Sequence, residues 1–108
     1  MQENDGRRRV GGIPLRPKLI YVIAPMKLWP SKIGISEYPK ERVKSLQAAH
    51  YELLELIAVF KSDNALNDEG ELHIKFADYK IRNEWFDINA PEAVKMISKF
   101  LEREPYYT

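Results

Sequence analysis

The sequence predicts a single α/β domain of the α+β kind, a small three-stranded antiparallel sheet flanked by three helices in the order β-β-α-β-α-α. Three observations carry that prediction. Two short alternating segments stand near the start, one strongly apolar run lies mid-chain, and three stretches repeat apolar residues at helical spacing. A chain of 108 residues that is 44% hydrophobic fills one modest core and no more.

Residues 1–18 carry glycines, prolines and arginines without an apolar period, which predicts a mobile basic arm ahead of a single domain over 19–108. Leu19–Ala24 is apolar and rich in β-formers, and reads as the first strand. Pro25 and Pro30 bracket a loop. Lys32–Ser36 alternates again and predicts a second strand, antiparallel to the first. Pro39 suits a first helical turn, where its missing N–H costs nothing, and Val43, Leu46 and Ala49 give that helix one apolar stripe to about His50. Leu53–Phe60 is the third strand. Ser62, Asp63 and Asn64 offer a cap for a second helix from about Ala65 to Tyr79. Glu84–Ile88 reads as short and extended or irregular. Asn89 followed by Glu92 resembles a capping box and opens a third helix, with Val94, Ile97 and Leu101 on its apolar face.

Charge and composition exclude several classes of function. The net charge of +1 is uneven: Arg7, Arg8, Arg9, Arg16 and Lys18 outweigh Glu3 and Asp5 and leave residues 1–18 at +3, while the rest stands at −2. A strongly basic nucleic-acid-binding domain is therefore not indicated, and phosphate attraction has to be local or come from the arm. With no cysteine there is no disulfide and no thiolate zinc site, which fits a reducing cytoplasm. No apolar run approaches the ~20 residues of a membrane span, and no secretory signal is evident.

Alternation along the first two strands places Ile20, Val22 and Ala24 on one face with Ile33 and Ile35, and Tyr21 on the other with Lys32, Gly34 and Ser36. Tyr21 and Lys32 are either a paired polar site or plain decoration of a sheet edge. On the second helix Ala65, Leu66, Leu72 and Phe76 are expected to face the core, and Glu69 falls inside that stripe. A carboxylate turned inward is costly unless paired, protonated or bound to metal. His73 lies four residues on, on the same face, so the two can share a metal, a proton path or a structural hydrogen bond. Arg42 borders the buried stripe of the first helix, as a surface ion-pair partner or as a fixed fork for phosphate.

These residues carry a resemblance. Leu19-Ile20-Tyr21, then Lys32-Ile33-Gly34, then Arg42, resembles the opening of the GIY-YIG nuclease superfamily. The later Glu69-x-x-Leu72-His73-x-x-Phe76, followed by Glu84-Trp85-Phe86, is similar to the branch of phage proteins and meiotically up-regulated gene proteins of fungi. The match runs from Leu19 to Phe86. It implies a divalent-metal-dependent DNA endonuclease acting on duplex or branched DNA, with Tyr21, Lys32, Arg42 and His73 as catalytic residues and Glu69 holding one Mg²⁺ or Mn²⁺. The superfamily's second-motif tyrosine is Lys32 here, as is common in that branch, and its terminal asparagine has no counterpart near Phe86.

Arg42 would then hold a phosphate oxygen as charge builds. Tyr21 is a poor base at an ordinary phenol pKa near ~10 unless Lys32 favours its phenolate, and His73 competes for the proton transfer. Two rival expectations stand beside this one. The first is a weak or inactive GIY-YIG-like DNA-binding module of a larger DNA-processing assembly. The second is a structural or interaction domain whose inward polar residues form a satisfied network.

Overall fold

The structure, a computed structural model, describes residues 9–10, 13–14 and 18–107. Most of the expected arm lies outside them. Within it, the backbone of β1 (Arg9–Val10) pairs antiparallel with β2 (Ile13–Pro14) as a separate two-residue ribbon.

The domain's sheet has five strands, not the three expected. β3 (Leu19–Pro25), β4 (Ser31–Ser36) and β5 (Leu54–Phe60) are joined by β6 (Lys80–Arg82) and β7 (Trp85–Phe86), in the spatial order β5-β3-β4-β7-β6, all antiparallel. The two added strands, three and two residues long, are too short to leave a period in the sequence, and β6 is exposed throughout. They form a hairpin turning at Asn83 and Glu84, with Asn83 in the left-handed region at φ 53°, where asparagine is tolerated better than most residues.

The helices are α1 (Pro39–Gln47), α2 (Ala65–Lys75) and α3 (Ala90–Leu101). α2 is shorter than expected, because the chain tightens into a 3₁₀ turn over Ala77–Tyr79. The caps are as the sequence implies: Asn64 accepts from the Asn67 N–H at 3.2 Å and Asn89 from the Glu92 N–H at 2.9 Å. Gln47 ties down the turn after α1, donating to the carbonyls of His50 and Glu52 and accepting from the Leu54 N–H.

Both faces of β3 are covered, so alternation there sorts residues between two cores rather than between core and water. Ile20, Val22 and Ala24 join Ile33, Ala58 and Phe60 against Leu72 of α2, Phe76 at its C-terminal cap, and Ala93 and Ile97 of α3. On the other face Tyr21, Ile23 and Leu54 pack with Val43 and Leu46 of α1 and with Trp85. α2 is held by Ala65, Leu72 and Phe76. Leu66, expected in that stripe, is 71% exposed, because the buried line runs 65, 69, 72, 76 and passes it by. The Phe86 ring meets Phe76 edge-on at 5.7 Å, which locks the added hairpin to α2. Truncating either ring is expected to cost about 3–5 kcal/mol.

Candidate active site

The site lies where the sheet is interrupted. β7 pairs with β4 only at Ser31↔Phe86 and Lys32↔Trp85, and the Ile33 N–H then donates to the Glu84 carbonyl at 3.0 Å. That bond brings the Glu84 side chain beside Gly34. From Gly34 onward, among the described residues, no strand continues along this edge of β4.

Two sets of side chains meet at the gap from opposite faces of the sheet. Tyr21 stands opposite Gly34 and Ile23 opposite Lys32, so Tyr21 and Lys32 share the α1 face as diagonal neighbours. Arg42 reaches the same place from α1, and its Nε–H donates a long 3.4 Å hydrogen bond to the Tyr21 hydroxyl. Glu69 and His73 project from α2, which packs on the other face, and come round the edge to Glu84. One ligand atom each from Glu69, His73 and Glu84 lies within 4.8 Å of the others. All five residues singled out from the sequence are therefore neighbours, but they straddle the sheet edge instead of lying on one side of the sheet.

Gly34 makes the gathering possible. A Cβ there would sit 2.5 Å from the Tyr21 hydroxyl and 2.6 Å from Glu84 Oε1, closer than carbon and oxygen tolerate. The phenol and the carboxylate both occupy the space a side chain would fill.

The electrostatics correct one expectation and sharpen another. Lys32, only 6% exposed, gives its ammonium to Glu84 Oε1 at 3.2 Å and lies 5.5 Å from the Trp85 ring centroid, and is thus Glu84's partner rather than Tyr21's. Burial raises the Tyr21 pKa above the ordinary phenol value and the negative charges of Glu84 and Glu69 add to it, outweighing the lowering by Arg42. The phenolate is disfavoured, and Tyr21 is a hydrogen-bonding acid at neutral pH.

Glu69 is likewise raised above the ordinary carboxylate value. Burial is the first cause, followed by the charge of Glu84 and a hydrogen bond with its carboxyl, against smaller lowering by His73 and Lys32. The two carboxyls thus face each other in a half-buried niche, where two adjacent negative charges are costly.

His73 Nε2 lies 2.9 Å from the Ile33 carbonyl. A carbonyl only accepts, so Nε2 carries the hydrogen, and any further proton must arrive at Nδ1. The same nitrogen is 3.8 Å from Glu69 Oε2, and the ring meets Phe86 edge-on at 5.0 Å. Glu84 is the member that sequence reasoning left without a role. Its signal was present in Glu84-Trp85-Phe86, but only the β4–β7 register reveals that it faces Glu69.

Carboxylates, cations and a buried phenol converge on the open edge of the small antiparallel sheet of this α+β domain. Residues 18–101 match the T5orf172 domain, and the chain belongs to that family, which is associated with phage and nuclease-type proteins. No curated protein and no solved structure matches the chain significantly. No helix among the described residues is long and apolar enough to cross a membrane.

Proposed function

We propose that this domain is a GIY-YIG-like endonuclease that hydrolyses phosphodiester bonds in DNA with the help of one divalent cation. The observation that carries the reading is the Glu69–Glu84 pair, with carboxylate oxygens within 4.8 Å of each other and His73 beside them. The donor set suits the ion: two facing carboxylates for a hard cation such as Mg²⁺ or Mn²⁺, in a niche where burial and the charge of Glu84 disfavour the bare Glu69 anion. A bound cation there would supply Lewis acidity toward the phosphoryl and leaving oxygens.

The protein's own groups supply the rest. Arg42, exposed at the start of α1, offers its remaining guanidinium N–H groups to a non-bridging phosphate oxygen. Lys32 is tied to Glu84 at rest. A cation held by Glu84 would leave the Lys32 ammonium free to meet negative charge on the phosphate. His73, oriented by the Ile33 carbonyl, presents Nδ1 as the proton acceptor in place of the Tyr21 phenol, whose raised pKa disfavours the phenolate. Tyr21 keeps its proton and donates a hydrogen bond from beneath Arg42.

A second reading, a DNA-binding module with a slow or dead site, draws support from the Lys32–Glu84 ion pair that occupies one of the two carboxylates. Incubating the purified protein with supercoiled plasmid and Mg²⁺ or Mn²⁺ decides between them, with Glu69→Gln as control. Nicking lost in the variant supports cleavage. Plasmid binding without nicking under any divalent ion leaves the binding module.

A further inference from the structure

A concave track leads away from the cleavage centre. Lys18, Ile35 and Arg42 border a small hollow that continues past Glu37 and Tyr38 into a groove of about 350 Å³. The larger groove is lined by Tyr38, Tyr106 and Tyr107 over an apolar floor that includes Leu56 and Val59.

These three rings stand at the surface of the domain. They are 49%, 57% and 40% exposed, and none belongs to either buried cluster. Their positions are nevertheless fixed by backbone bonds. The Tyr106 N–H donates to the Val59 carbonyl and the Val59 N–H to the Tyr107 carbonyl, both at 2.9 Å, which lays this segment along the outer edge of β5. The Tyr38 carbonyl accepts from the Arg42 N–H at 3.0 Å, so the first ring stands one helical turn from the phosphate-reading arginine.

Lysines accompany the rings. Lys40 Nζ is 5.7 Å from the Tyr107 centroid and Lys61 Nζ is 5.0 Å from that of Tyr106. Glu37 also borders the groove, and Glu41 is engaged with Lys44 at 3.6 Å, so the local charge is mixed. The complementarity is that of aromatic faces flanked by mobile ammonium groups, which matches stacked bases on a phosphate backbone.

We propose that this groove receives unpaired nucleotides of the DNA strand next to the scissile phosphate, their bases stacked on Tyr38, Tyr106 and Tyr107. The inference rests on the cleavage reading for the place of the phosphate at Arg42. It narrows the substrate class to DNA with a single-stranded stretch beside the cut, because a base inside a duplex has no free face to offer a tyrosine.

The test is fluorescence-anisotropy titration of a labelled single-stranded oligothymidylate and of a blunt duplex of equal length. It uses the full chain in EDTA, so that cleavage does not intervene. Wild type is expected to bind the single strand more tightly than the duplex. Tyr107→Ala and Tyr38→Ala, on separate elements, are each expected to weaken single-strand binding about tenfold, whereas Tyr107→Phe keeps the stacking face and the affinity. Thermal melts identify a variant that has lost its fold, and the other position then decides. Equal or tighter binding of the duplex, no binding of the single strand, or alanine variants that fold and bind like wild type would each overturn the proposal. Plasmid nicking reports separately on cleavage. A protein that binds single strands through these tyrosines but never nicks keeps this inference and loses the other.

Discussion

Replacing Glu69 with glutamine is expected to stabilise the metal-free protein while abolishing its divalent-cation binding. The shapes are nearly identical, so packing changes little, and what is removed is a charge. Glu69 and Glu84 present oxygens within 4.8 Å of each other. Two unit charges at that separation repel by about 1 kcal/mol in water and about 3 kcal/mol at an effective dielectric near 20. His73, 3.8 Å away, and Lys32 return part of this, leaving a net gain of about 1 kcal/mol in the variant and a Tm higher by about 4–8 °C. The pH dependence fixes the sign. Because the folded-state pKa of Glu69 is raised, the native protein holds this proton more tightly than the unfolded chain does. Its contribution is fully present below the ordinary carboxylate pKa and is lost as pH rises through the raised value. The gain from glutamine should therefore be seen on the alkaline side and vanish on the acid side. Cation affinity is expected to run the other way, rising with pH as Glu69 loses its proton. Thermal melts in EDTA on both sides of that window, with calorimetric Mn²⁺ titration, measure all of it. A variant that melts no higher than wild type at alkaline pH, or that binds Mn²⁺ as tightly, refutes the reasoning.

Arg42→Ala should leave Mn²⁺ affinity and melting almost unchanged, since the residue is exposed and its bond to Tyr21 is long, yet slow plasmid nicking by about 10²–10³-fold in single-turnover assays. Gly34→Ala forces a methyl group into the Tyr21 hydroxyl and Glu84 Oε1, and Tyr21 at 1% exposure has nowhere to retreat. A loss of about 1–3 kcal/mol by urea denaturation, together with weaker cation binding, is expected. Tyr21→Phe should lower the nicking rate across the pH range without moving the acid limb of the profile, because the phenol stays protonated there and is not the base. A shifted acid limb would return Tyr21 to that role.

Legibility in the sequence followed the range of the interactions involved. β3, β4, β5 and the three helices could be read because their patterns are local: alternation, a helical stripe, and the asparagine caps at 64 and 89. Parity alone put Tyr21 and Lys32 on one face, as their partners Gly34 and Ile23 bear out. β7 was legible only as part of an extended or irregular Glu84–Ile88, and its partner β6 could not be read, since Lys80–Arg82 is exposed throughout and pairs through a register shift, leaving no period to detect. Glu84 was visible as part of a pattern but mute as to purpose, for its place beside Gly34 depends on a bond between Ile33 and a residue 51 positions later. Lys32's preference for Glu84 over Tyr21 is a consequence of the same distant register. The expectation for Leu66 failed on a finer point, a helix phase one residue away from the buried line.

The early end of β7 has a consequence for how the protein behaves in concentrated solution. An uncovered strand edge is a template for another chain's strand, and β4 exposes such an edge from Gly34 onward. Here the template is guarded by its neighbours: Glu69, Glu84 and Lys32 surround it with charge, and His73 already occupies the Ile33 carbonyl. Neutralising Glu69 and Glu84 together should thus do more than silence a site. It should lower solubility and promote concentration-dependent self-association, visible by sedimentation, in a protein whose fold is otherwise intact.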